Sequence, residues 1–252
     1  MLEATNNTFY DAAYDACAQK IIVALDCDED TALELVKRLS GHAQWVKVGM
    51  TLYYACGPRI ISTMHEAGMK VFLDLKLHDI PHQVHGAIMS AARAGADIIS
   101  IHGLGGPDMI AAAAQGLSEH CFNARTANTK LIAITVLTSM NQQMLEQIGI
   151  SDELTDEVKR LAELAYTHGA HGVVCSPQEA SMMRELLGEK ALIVTPGVRP
   201  RGSQLGDQKR TATPAQALAA GASMVVIGRP ITQADDPVAA FDGIIDSIIA
   251  ES

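Results

Sequence analysis

The chain has 252 residues, 48% of them hydrophobic, with a formal charge of −10 at pH 7 and only four Phe and one Trp. One large α/β domain or two small ones fit this length, and the apolar content excludes a disordered chain. The acidic balance and scarce aromatics exclude a nucleic-acid surface, yet a local basic cluster can still hold a small anionic substrate.

In chain order, residues 1–20 carry acids and Asn rather than a basic patch ahead of an apolar core, and no run of about 18 apolar residues occurs anywhere. The expectation is a soluble, cytoplasmic protein with an N-terminal extension at 1–20 and no membrane partner. From there, short apolar β-branched runs alternate with helix-like segments. The strand candidates are 21–26 (IIVALD), 45–50 (WVKVGM), 71–76 (VFLDLK), 97–103 (DIISIHG), 131–138 (LIAITVLT), 172–177 (GVVCSP), 192–198 (LIVTPGV) and 224–230 (MVVIGRP). Helix candidates include 30–41, 57–68, 154–169, 213–221 and 236–250, several of them stopping at a Gly suited to a C-cap.

Near-continuous hydrophobic strands alternating with helices indicate a parallel sheet covered by helices. Eight such units in this length match a (β/α)8 TIM barrel, α/β class, as a single domain over 21–252. An open, doubly wound sheet shares the periodicity. The polar residues favour the barrel: Asp26, Lys47, Asp74, Lys76, His102, Thr138, Ser176, Arg199 and Arg229 sit at or just past the C-terminal ends of their strands, where a barrel carries its active site.

Two constellations stand out. Strand alternation places Phe72, Asp74 and Lys76 on one face and Val71, Leu73 and Leu75 on the other, with Asp79 following in the loop before Ile80 and Pro81. A lone Asp-x-Lys would be no more than a salt bridge ending a strand, but Asp26 and Lys47 on neighbouring strands extend it into an alternating array. The second constellation is 194–214 with 227–230. Gly197 and Gly228 follow the seventh and eighth strands, where barrels commonly hold phosphate, and Arg199, Arg229 and Gln208 add donors. The charged, Gly-bearing stretch from Pro200 to Thr211 is the expected lid, with Lys209 and Arg210 read as solvated. Cys17, Cys27, Cys56, Cys121 and Cys175 are scattered with no CxxC pair, and His42, His78, His82, His85 and His102 lack metal-site spacing, so no metal is expected.

The motifs DLKLHDIP, VKVG, TVLTS, PGVRP with DQKR, and VIGRPI, in this order and each on its expected strand, resemble the orotidine 5′-phosphate decarboxylase family from about Lys20 to the C-terminus. The resemblance implies a cofactor-free homodimer that converts orotidine 5′-monophosphate to UMP and CO2. By motif, Asp26 and Lys47 would address the ribose, Asp74 the substrate carboxylate, and Lys76 would be the proton donor. Asp79 and Ile80 would reach the neighbouring subunit's site. Thr138 and Ser139 would lie near the pyrimidine, and Arg199, Gln208, Gly228 and Arg229 near the phosphate. The family pattern DIPNT is broken here by His82 and Gln83, which puts a cross-subunit contact at position 83 in question.

Rival readings make distinct demands. A Mg²⁺-dependent sugar-phosphate decarboxylase or aldolase of the same barrel type needs an acid two residues before Asp74, where Phe72 stands. A Schiff-base aldolase needs Lys76 as a free amine, and flanking carboxylates favour the ammonium. A non-catalytic nucleotide-binding barrel needs no internal Asp/Lys array.

Overall fold

The computed structural model describes residues 2–120, 128–200 and 212–251. Eight parallel strands close into a barrel in sequence order: β1 Ile21–Leu25, β2 Trp45–Gly49, β3 Lys70–Leu77, β4 Ile98–His102, β5 Lys130–Ile134, β6 Gly172–Val174, β7 Leu192–Pro196 and β8 Met224–Ile227. Closure is made by β1 against β8, with Ile21 paired to Val225 and Val23 to Ile227. The open-sheet alternative is thereby excluded.

Strand alternation sorts the core into two populations. Ile22, Ala24, Phe72, Ile98, Ile132, Ile134, Val174, Val194, Met224 and Val226 fill the barrel interior, while Val71, Leu73 and Leu75 join the larger cluster between sheet and helices. Burying two faces of every strand accounts for runs such as Ile21–Leu25, in which all five residues are buried.

Local chemistry sets the connections that carry the site. After β1, Asp28 caps the helix Glu29–Leu39 by accepting the Thr31 N–H at 2.9 Å, and that hydrogen bond holds its carboxyl below the usual range. After β3, Pro81 opens the helix Pro81–Ala94, which stops at Gly95 in the left-handed region, its N–H turned back to the carbonyls of Ala91 and Ala92. The expected helix at 57–68 is shorter: Gly57 at φ +67 and Pro58 separate Met50–Cys56 from Arg59–Glu66.

Ahead of the barrel, Leu2–Ala18 forms a helix tied to the last helix, Pro237–Glu251. Tyr10 and Tyr14 donate to Asp246 and Asp242 at 2.5 Å each, His42 Nδ1 lies 3.1 Å from the same Asp242, and Ala18 is fully buried. Among the described residues, no helix is long and apolar enough to cross a membrane, and Cys17, Cys27, Cys56 and Cys175 are thiols.

Candidate active site

The topmost inward positions of β1 to β4 turn from apolar to charged or polar, and there the structure brings together Asp26, Lys47, Asp74 and Lys76. Lys47 Nζ donates to Asp26 Oδ1 at 2.7 Å and lies 3.7 Å from Asp74 Oδ2, which accepts from Lys76 Nζ at 2.7 Å. Lys47 and Asp74 are buried, whereas Asp26 is exposed at the rim. The chain of alternating charge carries a buried ion pair without an orphan, because the remaining oxygen of Asp74 accepts from the Ser100 hydroxyl at 2.9 Å. Ser100 is absent from the sequence reading: a Ser within an apolar strand gives no signal until its neighbour across the sheet is known.

Gly49 closes the VKVG motif, but sequence alone assigns it no role. A Cβ there would stand 3.0 Å from Asp26 Oδ1 and 3.1 Å from Lys47 Nζ, so the missing side chain leaves room for the pair to meet.

Lys76 departs from regular strand geometry. Its φ is +52°, the single positive value at a non-Gly residue among those described, and the β3–β4 register shifts between Leu73 and Leu77. Next to it, the His78 and His102 rings stack with centroids 5.2 Å apart. Burial, then the nearby His78 and Lys76, push His102 down to about 4, so its imidazole is neutral at pH 7, and its Nδ1 accepts the Leu104 N–H at 3.3 Å.

A cavity of about 370 Å³ continues from the array to the opposite side of the mouth, lined by Asp26 and Lys47 together with Gly197, Arg199, Gly228 and Arg229. Gly197 at φ +82° turns the chain out of β7, and Gly228 leads into the short helix Arg229–Thr232. The two sequence constellations thus meet at Asp26 and Lys47, and Asp74 adjoins this space through Lys47, 3.7 Å away. Asp74, Lys76, Thr138, Ser139, Asp79 and Ile80 do not line it. Strand β5 ends at Ile134 rather than 138, leaving Thr138 half-buried and Ser139 exposed in the following turn. Asp79 and Ile80 are exposed, and Asp79 Oδ1 accepts the Ile80 N–H at 2.6 Å. Ser176, expected at the rim, is fully buried, its N–H donating to Glu179 at 2.8 Å. Gln208, Lys209, Arg210 and nearly all of the expected lid lie outside the described residues, as does Cys121.

Closed barrel, mixed-charge array and arginine-lined recess at the C-terminal rim define a barrel enzyme for phosphorylated small molecules. Comparison with known proteins narrows the class. The model of the "Orotidine 5'-phosphate decarboxylase / HUMPS family" matches residues 19–244, and the chain belongs to that family. It is 48% identical over 225 residues, 89% of this chain and 94% of the relative, to the orotidine 5′-phosphate decarboxylase of Marinomonas sp. strain MWYL1. The Cutibacterium acnes protein of the same name is 46% identical over 227 residues, 89% of this chain and 94% of the relative. A crystal structure of orotidine 5′-phosphate decarboxylase from Lactobacillus acidophilus superposes with a TM-score of 0.81 at 38% identity, covering 90% of this chain and 98% of that one.

Proposed function

We propose that the protein decarboxylates orotidine 5′-monophosphate to UMP and CO2, the closing step of UMP synthesis, as a cytoplasmic homodimer. The observation that carries the reading is the junction at Lys47, which lines the recess of Arg199, Gly228 and Arg229 together with Asp26 and lies 3.7 Å from Asp74, the partner of Lys76. A nucleotide can then set its phosphate on the arginines, its ribose against Asp26 and Lys47, and its C6 carboxylate beside Asp74 and Lys76.

Breaking the bond from C6 to the carboxyl group releases CO2 and leaves the electron pair in an sp² orbital at C6 without a conjugated sink. The Lys76 ammonium stabilises that pair electrostatically and then gives its proton to C6, the amine regaining one from solvent. Repulsion between Asp74 and the substrate carboxylate adds about 4 kcal/mol at roughly 4 Å and an effective dielectric near 20. Enzymatic accelerations demand about 8–23 kcal/mol, so carbanion stabilisation is the larger part. The Mg²⁺-dependent alternative is disfavoured because Phe72, at the position that would need a carboxylate, is packed in the barrel core.

The direct test is ultraviolet absorbance. Purified protein should consume orotidine 5′-monophosphate with formation of UMP and should keep its rate in EDTA. No turnover would sink the assignment, and abolition by EDTA would move it to the sugar-phosphate branch.

The dimer draws support from exposed large apolar side chains, Met50, Tyr54, Ile80, Leu104 and Leu137, which all follow the C-terminal ends of β2 to β5 on one side of the mouth. Asp79, in the same rim, would complete the partner's site. Mixing inactive Lys76→Ala with inactive Asp79→Ala and allowing subunits to exchange should restore about a quarter of wild-type activity, since half of the dimers are hybrids and each hybrid holds one intact site. Continued inactivity in demonstrated hybrids would place Asp79 in its own subunit's site. Thiols at Cys17, Cys27, Cys56 and Cys175 suit a reducing compartment.

A further inference from the structure

Between Leu73 and Leu77 the pairing of β3 with β4 steps from Leu73↔Ile99 to Leu77↔Ile101, so β3 advances four positions while β4 advances two. On its other side, β3 is last paired at Asp74, opposite Gly49 of β2. The backbone of Lys76 therefore falls where neither ladder holds it, in a left-handed conformation at φ +52°. Its N–H donates instead to a side chain, Ser100 Oγ, at 2.9 Å. The same hydroxyl donates to Asp74 Oδ1 at 2.9 Å, and Ser100 is fully buried. A hydroxyl offers one donor and two acceptor sites, so a single oxygen serves both partners.

We propose that Ser100 is a positioning residue, fixing the Asp74 carboxylate and the bulged backbone of Lys76 so that the Lys76 ammonium meets C6 in register. The inference rests on Lys76 being the proton donor in orotidylate decarboxylation. It requires that Ser100 touch no substrate atom and act only through its two neighbours. Losing the hydroxyl therefore frees the reacting groups while leaving the arginine recess and the ribose contacts in place.

The test compares Ser100→Ala and Ser100→Cys with wild type, each rate referred to folded protein measured by circular dichroism. Cysteine nearly keeps the volume of serine but is a much weaker donor, so it separates packing from hydrogen bonding. Both variants should lose about 10- to 100-fold in kcat, the scale of a small misplacement of reacting groups, with KM within about threefold of wild type. A Ser100→Cys kcat within about twofold of wild type, or a loss confined to KM, would overturn the proposal. An inactive wild-type enzyme in the same assay would instead bring down the decarboxylase reading and this inference with it.

Discussion

Replacing Lys76 by alanine is expected to cut kcat for orotidine 5′-monophosphate by roughly 10⁴- to 10⁷-fold, while UMP still binds. The range combines two functions lost together: a positioned proton donor is worth about 10²–10⁴, and a preorganised charge aimed at the developing anion about 10²–10³. The fold should survive, because Asp74 retains the Ser100 hydroxyl at 2.9 Å and the Lys47 ammonium at 3.7 Å. Lys76→Arg should not restore the rate, since guanidinium holds its proton too firmly to donate it and presents a planar fork in place of a compact charge. Steady-state absorbance kinetics alongside UMP titration would check both halves. A loss below about tenfold would mean that the proton comes from elsewhere.

The second large effect belongs to the opposite side of the mouth. Arg229→Ala should raise KM by about 10²- to 10⁴-fold, because two charge-assisted hydrogen bonds to a phosphate are worth about 1.5–3 kcal/mol each. The array around Lys76 is built from β1 to β4, whereas Arg229 follows β8, so the chemistry should persist once substrate is bound. A phosphate-free nucleoside makes the division visible. Inorganic phosphite should stimulate its turnover by wild type, supplying from solution the anion missing from the truncated substrate, and should stimulate the Arg229→Ala protein far less. Absence of phosphite activation in wild type would argue that the phosphate contributes binding alone.

The barrel was legible because its strands are buried on both faces and its helices on one, a contrast that composition and spacing carry directly. The array was legible for the same reason: Asp26, Lys47 and Asp74 break otherwise apolar runs at inward positions. What escaped depends on neighbours. The run 131–138 reads as one strand, but β6 offers partners only from Gly172 to Val174, so the ladder of β5 ends at Ile134. Period-two alternation assumes an even pleat and cannot foresee the bulge that turns Lys76 to positive φ. The role of Ser100 lies in a contact across strands, with Asp74, and that of Gly49 in the space it leaves for Asp26 to meet Lys47, two residues back on its own strand. The N-terminal helix escaped likewise: its anchors, Asp242 and Asp246, are more than two hundred residues away in sequence.

The left-handed backbone at Lys76 sets a local conflict between durability and use. A side-chain-bearing residue held there forgoes about 1–3 kcal/mol that glycine would keep. Among variants that have already lost the ammonium, Lys76→Gly should therefore melt above Lys76→Ala, the reverse of the order usual in regular structure. At this position robustness alone would favour glycine over lysine, so the proposed proton donor would be where the chain trades resilience for chemistry.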